Sequence, residues 1–227
     1  MNDKVLPVIL SASELDIKLP APPDLLSTPD AEAIRSAIIT GGAYTPDGQA
    51  LIERRKVKTL LATDSDGANI VIGDLSDEDK FEDGKNIYIK TSALSTPLSE
   101  RIQEPRDPYE LLRLKDSEIC LNAFRDHPSL EVRRMTVEAR NEREMPKIKA
   151  EVRRAAKSCV SGNPLEDNAD VHHKERVADK PRKAVDPKNL VAANKSIHKK
   201  IHAAKAHSLE TLKALAAQEG WPEPEPE

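Results

Sequence analysis

Apolar positions along the chain change period several times, and each change predicts an element. After a proline-rich opening, Thr28-Pro29-Asp30 leads into AEAIRSAIIT, where apolar residues recur every three or four positions. That pattern predicts a helix starting near Thr28 and stopped by Gly41-Gly42. ALIERRKVKTLLA, after Asp47, reads as a second helix whose end could already be strand. An Asp66-Gly67 turn followed by NIVIG suggests a β-hairpin, and NIYIKTS (86–92) alternates as a further strand. The acidic loop between them, 74–84, resembles a calcium loop only loosely, because its glycine and closing glutamate are misplaced. From Pro105 to Lys157 the pattern is helical and highly charged, with Pro128 and Pro146 as breaks. Near the end, ADVHH (169–173) and NLVA (189–192) read as short strands, and KSIHKKIHAAKAH follows as a helix with Asn194 at its cap. The final EGWPEPEPE stops a last helix and cannot pack a core.

Composition narrows the class. Aromatic residues make up 3% of the 227 positions and charged residues 33%, so the core is aliphatic and modest. The two cysteines, Cys120 and Cys159, are far apart and form no Cys-x-x-Cys pair, which argues against a disulfide framework and a thiolate zinc site. The run VLPVIL is too short and too broken to span a membrane, so the expectation is a soluble, cytoplasmic protein without a membrane partner. Charge is unevenly spread. Residues 1–120 carry 14 Lys and Arg against 22 Asp and Glu, whereas 121–207 carry 20 against 12. A basic segment between acidic flanks suits a polyanion partner, and solvated helix faces explain it equally well. The acidic N-terminal region is also a candidate surface for a protein partner or for covering the basic segment.

Histidine supplies the sharpest chemical signal. Of six histidines, four fall in two short stretches: His172, His173, His198 and His202. On a helix, His198 and His202 share one face a turn apart, the spacing of a common divalent-metal pair. On a strand, His172 and His173 point to opposite faces, so one can join the metal while its neighbour remains a free base. His127 reads as a turn residue before Pro128, and His207 as a cation at the end of the motif helix.

The pattern His172-His173, Asn189, His198, His202 is similar to the motif of the HNH endonucleases, which have the ββα-metal fold, and within them it most resembles the DNase domains of colicins and pyocins. The resemblance covers about residues 158–205. It implies that His172, His198 and His202 ligate one divalent ion (magnesium, manganese, nickel or zinc), that His173 is the general base, that Asn189 holds the hairpin loop and so orients His173, and that Asp170 steadies a ligand from outside. It implies DNA, as a duplex, for substrate. Lys174, Arg176, Lys180, Arg182, Lys183, Lys195, Lys199 and Lys200 are then candidates to meet backbone phosphates. The chain departs from the pattern in having no cysteine pairs around the module, no glycine in the loop after His173, and Lys174 where an apolar residue is common.

The expected fold class is α+β. Residues 1–105 form a small N-terminal α+β domain of unread role, 106–157 a charged helical connector, 158–207 a ββα module, and 208–227 a C-terminal helix and tail. The functional expectation is a metal-dependent endonuclease. The alternative is a nucleic-acid-binding or assembly protein that keeps the scaffold without turnover.

Overall fold

A computed structural model describes residues 9–84 and 86–224. Most of the run VLPVIL and the end of the Pro-Glu tail lie outside the described residues. The chain mixes helices and sheets and divides into two compact units, Met1–Val137 and Glu138–Glu227. Among the described residues, no helix is long and apolar enough to cross a membrane.

The first unit is built on a five-stranded antiparallel sheet. Its strands are β1 (Leu10–Ser11), β2 (Gly42–Tyr44), β3 (Ala50–Glu53), β4 (Lys80–Asp83) and β5 (Asn86–Lys90), in the order β1-β2-β3-β5-β4. Its helices are α1 (Thr28–Gly41), α2 (Arg54–Leu60), α3 (Ser65–Asp74), α4 (Thr91–Gln103) and α5 (Pro108–Arg125). Helix α1 begins as its sequence predicts, with the Ser27 side chain accepting the Asp30 N–H and Pro29 in the first turn.

Two stretches differ from the sequence expectation. The segment after Asp47 is not helical throughout: Ala50–Glu53 pairs with β2 and β5, and the helix begins only at Arg54. Gly48 turns the chain at φ 82°, where an added Cβ would sit 2.4 Å from the Leu130 carbonyl, and the Gly48 carbonyl accepts from Arg134. Second, Asp66-Gly67 is no hairpin turn. Asp64 caps a helix by accepting the Gly67 N–H, and Ala68 and Ile72, four apart, are buried while Ile70 is exposed. Short apolar runs suit either period, and packing decides between them.

Helix α5 belongs to this core and is not a connector. Leu114, Cys120, Leu121 and Phe124 lie on its inner face among the core residues of α1, α2 and the sheet. Burial pushes the Cys120 thiol up to about 11, with the nearby Asp116 carboxylate adding to the effect, so Cys120 behaves as a small packed side chain. Arg35 from α1 makes two hydrogen bonds to Asp116, at 2.8 and 3.2 Å, and also donates to the carbonyls of Ala31 and Pro20. The Asp116 side chain is 1% exposed. Arg35→Ala is expected to cost about 3–5 kcal/mol, because it strands a buried carboxylate. The urea midpoint of this unit measures that loss, and a shift equivalent to under 1 kcal/mol would refute it.

Helix α6 (Pro128–Ala155) continues through Pro146, where the sequence pattern predicts a break. Its arginines 133 and 134 serve the first unit, donating to the carbonyls of Pro46 and Gly48.

In the second unit, β6 (Asp170–His173) pairs antiparallel with β7 (Leu190–Ala193), with His172 opposite Val191 and His173 opposite Leu190. Helix α7 (Lys195–Ala203) follows at once, and then α8 (Leu209–Glu219). Ala193, Ile201, Ala206, Leu212 and Leu215 make a small core. The last helix therefore completes this unit's core instead of standing beyond it. Asn194 does precede α7, but its side chain caps nothing. It binds the Glu166 N–H at 3.0 Å and the Pro164 carbonyl at 3.0 Å, tying down the incoming loop.

Candidate metal and catalytic site

The hairpin and α7 bring three imidazoles together. His172 is buried on β6, and its ring centroid lies 5.3 Å from that of His198 and 5.2 Å from that of His202. One ligand atom from each of the three falls within 4.8 Å of the others. The Nε2 atoms of His198 and His202 are 3.1 Å apart. Two nitrogens of a tetrahedral site, each about 2.0–2.1 Å from an ion, would be separated by about 3.3 Å.

Protonation states follow from the partners. Asp170 Oδ2 sits 3.1 Å from His198 Nδ1, and a carboxylate accepts, so Nδ1 carries the hydrogen and Nε2 presents its lone pair to His202. His172 Nε2 is buried with no hydrogen-bond partner. A buried imidazole nitrogen without a partner, beside two other imidazoles, has the chemistry of a metal ligand. Burial pushes the His172 pKa down to about 4, with His198 and His202 adding repulsion and a bond to the Ala206 carbonyl opposing them. His172 is therefore in its neutral, ligating form at neutral pH.

His173, the next residue, faces another way and stays outside the trio. Its Nε2 lies 2.9 Å from the Ala184 carbonyl. A carbonyl only accepts, so Nε2 carries the hydrogen and Nδ1 is the basic nitrogen. Burial lowers the pKa of this ring, the Ala184 bond works against that, and the Lys149 ammonium adds to the lowering. His173 still lines the same cavity of about 340 Å³ as His172, His198 and His202.

Asn189 is fully buried and holds the loop that carries Ala184. Its Oδ1 accepts the Glu175 N–H at 2.7 Å, while Nδ2 donates to the carbonyls of Glu175 (3.1 Å) and Lys183 (3.0 Å). Lys183 precedes Ala184, so Asn189 positions His173 through the loop backbone. Asn189→Ala would leave three backbone groups without their partner, at about 1–3 kcal/mol for each that stays buried. Faster hydrogen exchange at the Glu175 amide is the expected sign. Asn189→Asp keeps the acceptor and should protect that amide, while still losing both carbonyl bonds. Equal protection in wild type and Asn189→Ala would show the side chain to be dispensable.

The cationic candidates separate on burial. Lys174 is 4% exposed, so it is not a phosphate-facing residue; its N–H continues the hairpin by bonding the Asn189 carbonyl at 2.8 Å. Lys200 pairs with Glu219, and Arg176 stands 3.6 Å from Asp179. Lys195, Lys199 and Arg182 are exposed, and Lys180 and Lys183 are half-buried. Arg176 lines the histidine cavity.

Two other cavity residues were not expected from the sequence. Lys149 enters from α6, and His207 places its ring 5.7 Å from that of His202. His207 is not a cap on α7, because that helix has ended at Ala203 and the chain has turned through Lys205 at φ 53°. No local signal marks Lys149, one of many cations on a charged helix. His127 is the turn residue its sequence suggests, accepting the Ser129 N–H at 3.3 Å.

Comparison with family models, with characterised proteins and with solved structures finds no match to this chain.

Proposed function

We propose that the second unit is an HNH-type, ββα-metal nuclease module that hydrolyses phosphodiester bonds of duplex DNA. One observation carries the reading. Three imidazole nitrogens converge within 4.8 Å, and His173, beside one of them, lines the same cavity with its Nε2 held by the Ala184 carbonyl. A structural site needs the trio but has no use for the neighbouring base.

The donor set fits a divalent ion, with His172, His198 and His202 as its ligands. Imidazole favours zinc or nickel, whereas magnesium and manganese prefer oxygen ligands. Such an ion, when bound, neutralises charge on the phosphate and on the leaving oxygen. The chain's own residues supply the rest. His173 Nδ1 takes a proton from the attacking water, and the Ala184 carbonyl holds the ring and stabilises the imidazolium that forms. Asp170 orients His198. Arg176 and Lys149 place positive charge at the cavity wall, where a phosphate would dock.

The test is conversion of supercoiled plasmid to nicked or linear form by the full chain, with zinc, nickel, manganese and magnesium in turn and EDTA as control. Metal-dependent conversion is expected. Plasmid binding without conversion in every metal would leave the trio as a structural site in a non-catalytic nucleic-acid-binding protein.

A further inference from the structure

The first unit carries more Asp and Glu than Lys and Arg, yet it gathers Arg54, Arg55, Lys56 and Lys58 around one concavity of about 770 Å³. That volume lies within the ordinary range for ligand sites. Among the described residues lining it, Ala68 alone is aliphatic and none is aromatic. An occupant would therefore be recognised by charge and hydrogen bonding, not by stacking or apolar contact.

The cations are arranged unequally. Glu53 takes Arg55, which leaves the other three to present net positive charge. Arg54 donates to Asn69 Oδ1 at 2.8 Å, a neutral partner that aims the guanidinium without cancelling it. Lys58 lies 3.5 Å from the Ser65 hydroxyl, again a neutral group. Lys56 runs its stem against Gly41, where an added Cβ would meet its Cγ at 2.3 Å, so the chain's path is set by close packing. Two cations with neutral partners, Arg54 and Lys58, and Lys56 beside them match a ligand bearing several anionic groups in a row.

We propose that this concavity binds an oligophosphate anion, whose source is either a nucleic-acid backbone or a free nucleotide. The proposal does not depend on the nuclease reading, since it concerns the other unit and needs no cleavage.

The experiment titrates the full chain with sodium tripolyphosphate by calorimetry, in EDTA. It compares wild type, Arg54→Gln/Lys58→Gln, and the exposed control pair Lys18→Gln/Lys115→Gln. Loss of two charged contacts should weaken binding at least about tenfold in the first variant and leave the control unchanged. Equal affinity in wild type and Arg54→Gln/Lys58→Gln, equal loss in both variants, or no binding by wild type would each overturn the proposal. A salt series with a 20-base-pair duplex then separates the sources. A slope reduced by about 1.8 in Arg54→Gln/Lys58→Gln identifies the nucleic-acid backbone, at about 0.9 per phosphate contact. An unchanged slope, with ATP displacing tripolyphosphate from wild type, identifies a free nucleotide.

Discussion

His173→Ala is expected to slow metal-dependent plasmid cleavage by about 10²–10⁴-fold, the usual worth of a positioned general base. Metal affinity should stay within a few-fold of wild type, because His173 lies outside the 4.8 Å trio. The half-buried ring also donates to the Ala184 carbonyl at 2.9 Å, so alanine could disturb the loop as well as remove the base. His173→Gln separates these effects. Its amide can still donate to Ala184, but it cannot take a proton from water. Both variants should therefore fail in cleavage, with the glutamine form retaining more thermal stability. Cleavage within tenfold of wild type in both variants would remove His173 from the mechanism.

The second large effect concerns the metal. His202 is exposed, so His202→Ala removes a ligand without opening a core cavity. Affinity for zinc or nickel should fall by more than about 100-fold, which exceeds the loss typical of an outer partner. Asp170→Asn supplies that comparison. It weakens the hold on His198 Nδ1 but leaves all three ligands, and about 10–100-fold is expected. Competition with a chromophoric chelator reads both. Unfolding gives a second readout: at about 100 times its Kd, the ion should stabilise the wild-type unit by about 2.7 kcal/mol, and EDTA should abolish the gain. His202→Ala should show little gain at the same concentration. Superimposable titrations of wild type and His202→Ala would mean that the trio is not the metal site.

The candidate site was more legible than the first unit, for a physical reason. Its elements are short and consecutive. Alternation on β6 sends His172 and His173 to opposite faces, and the four-residue turn of α7 puts His198 and His202 on one face, because both follow from backbone period. Asp170 was singled out through the family resemblance, and it lies two positions before His172 on the same strand. Lys174 was misjudged because sequence shows a charge but not the packing around it. The three bonds of Asn189 depend on how the loop folds back, which no spacing encodes.

In the first unit the ambiguous stretches were short apolar runs that suit either period, so packing decided them. ALIE became a strand because the neighbouring β2 and the distant β5 flank it. ANIVIG became helical because Ala68 and Ile72 had a core to meet. The charged helix α5 hid its inner face of Leu114, Cys120, Leu121 and Phe124 behind a hydrophilic average. The sequence by itself determined helix α1, strand β5, the hairpin and helix of the second unit, and the order and spacing of the histidines, because each shows in a local pattern of caps, alternation or helical period. Only the tertiary structure decided which cations are buried, which carbonyl holds His173, that Lys149 and His207 reach the cavity, and that four cations of an acidic unit surround one concavity. Those depend on long-range packing, whose energies no local pattern records.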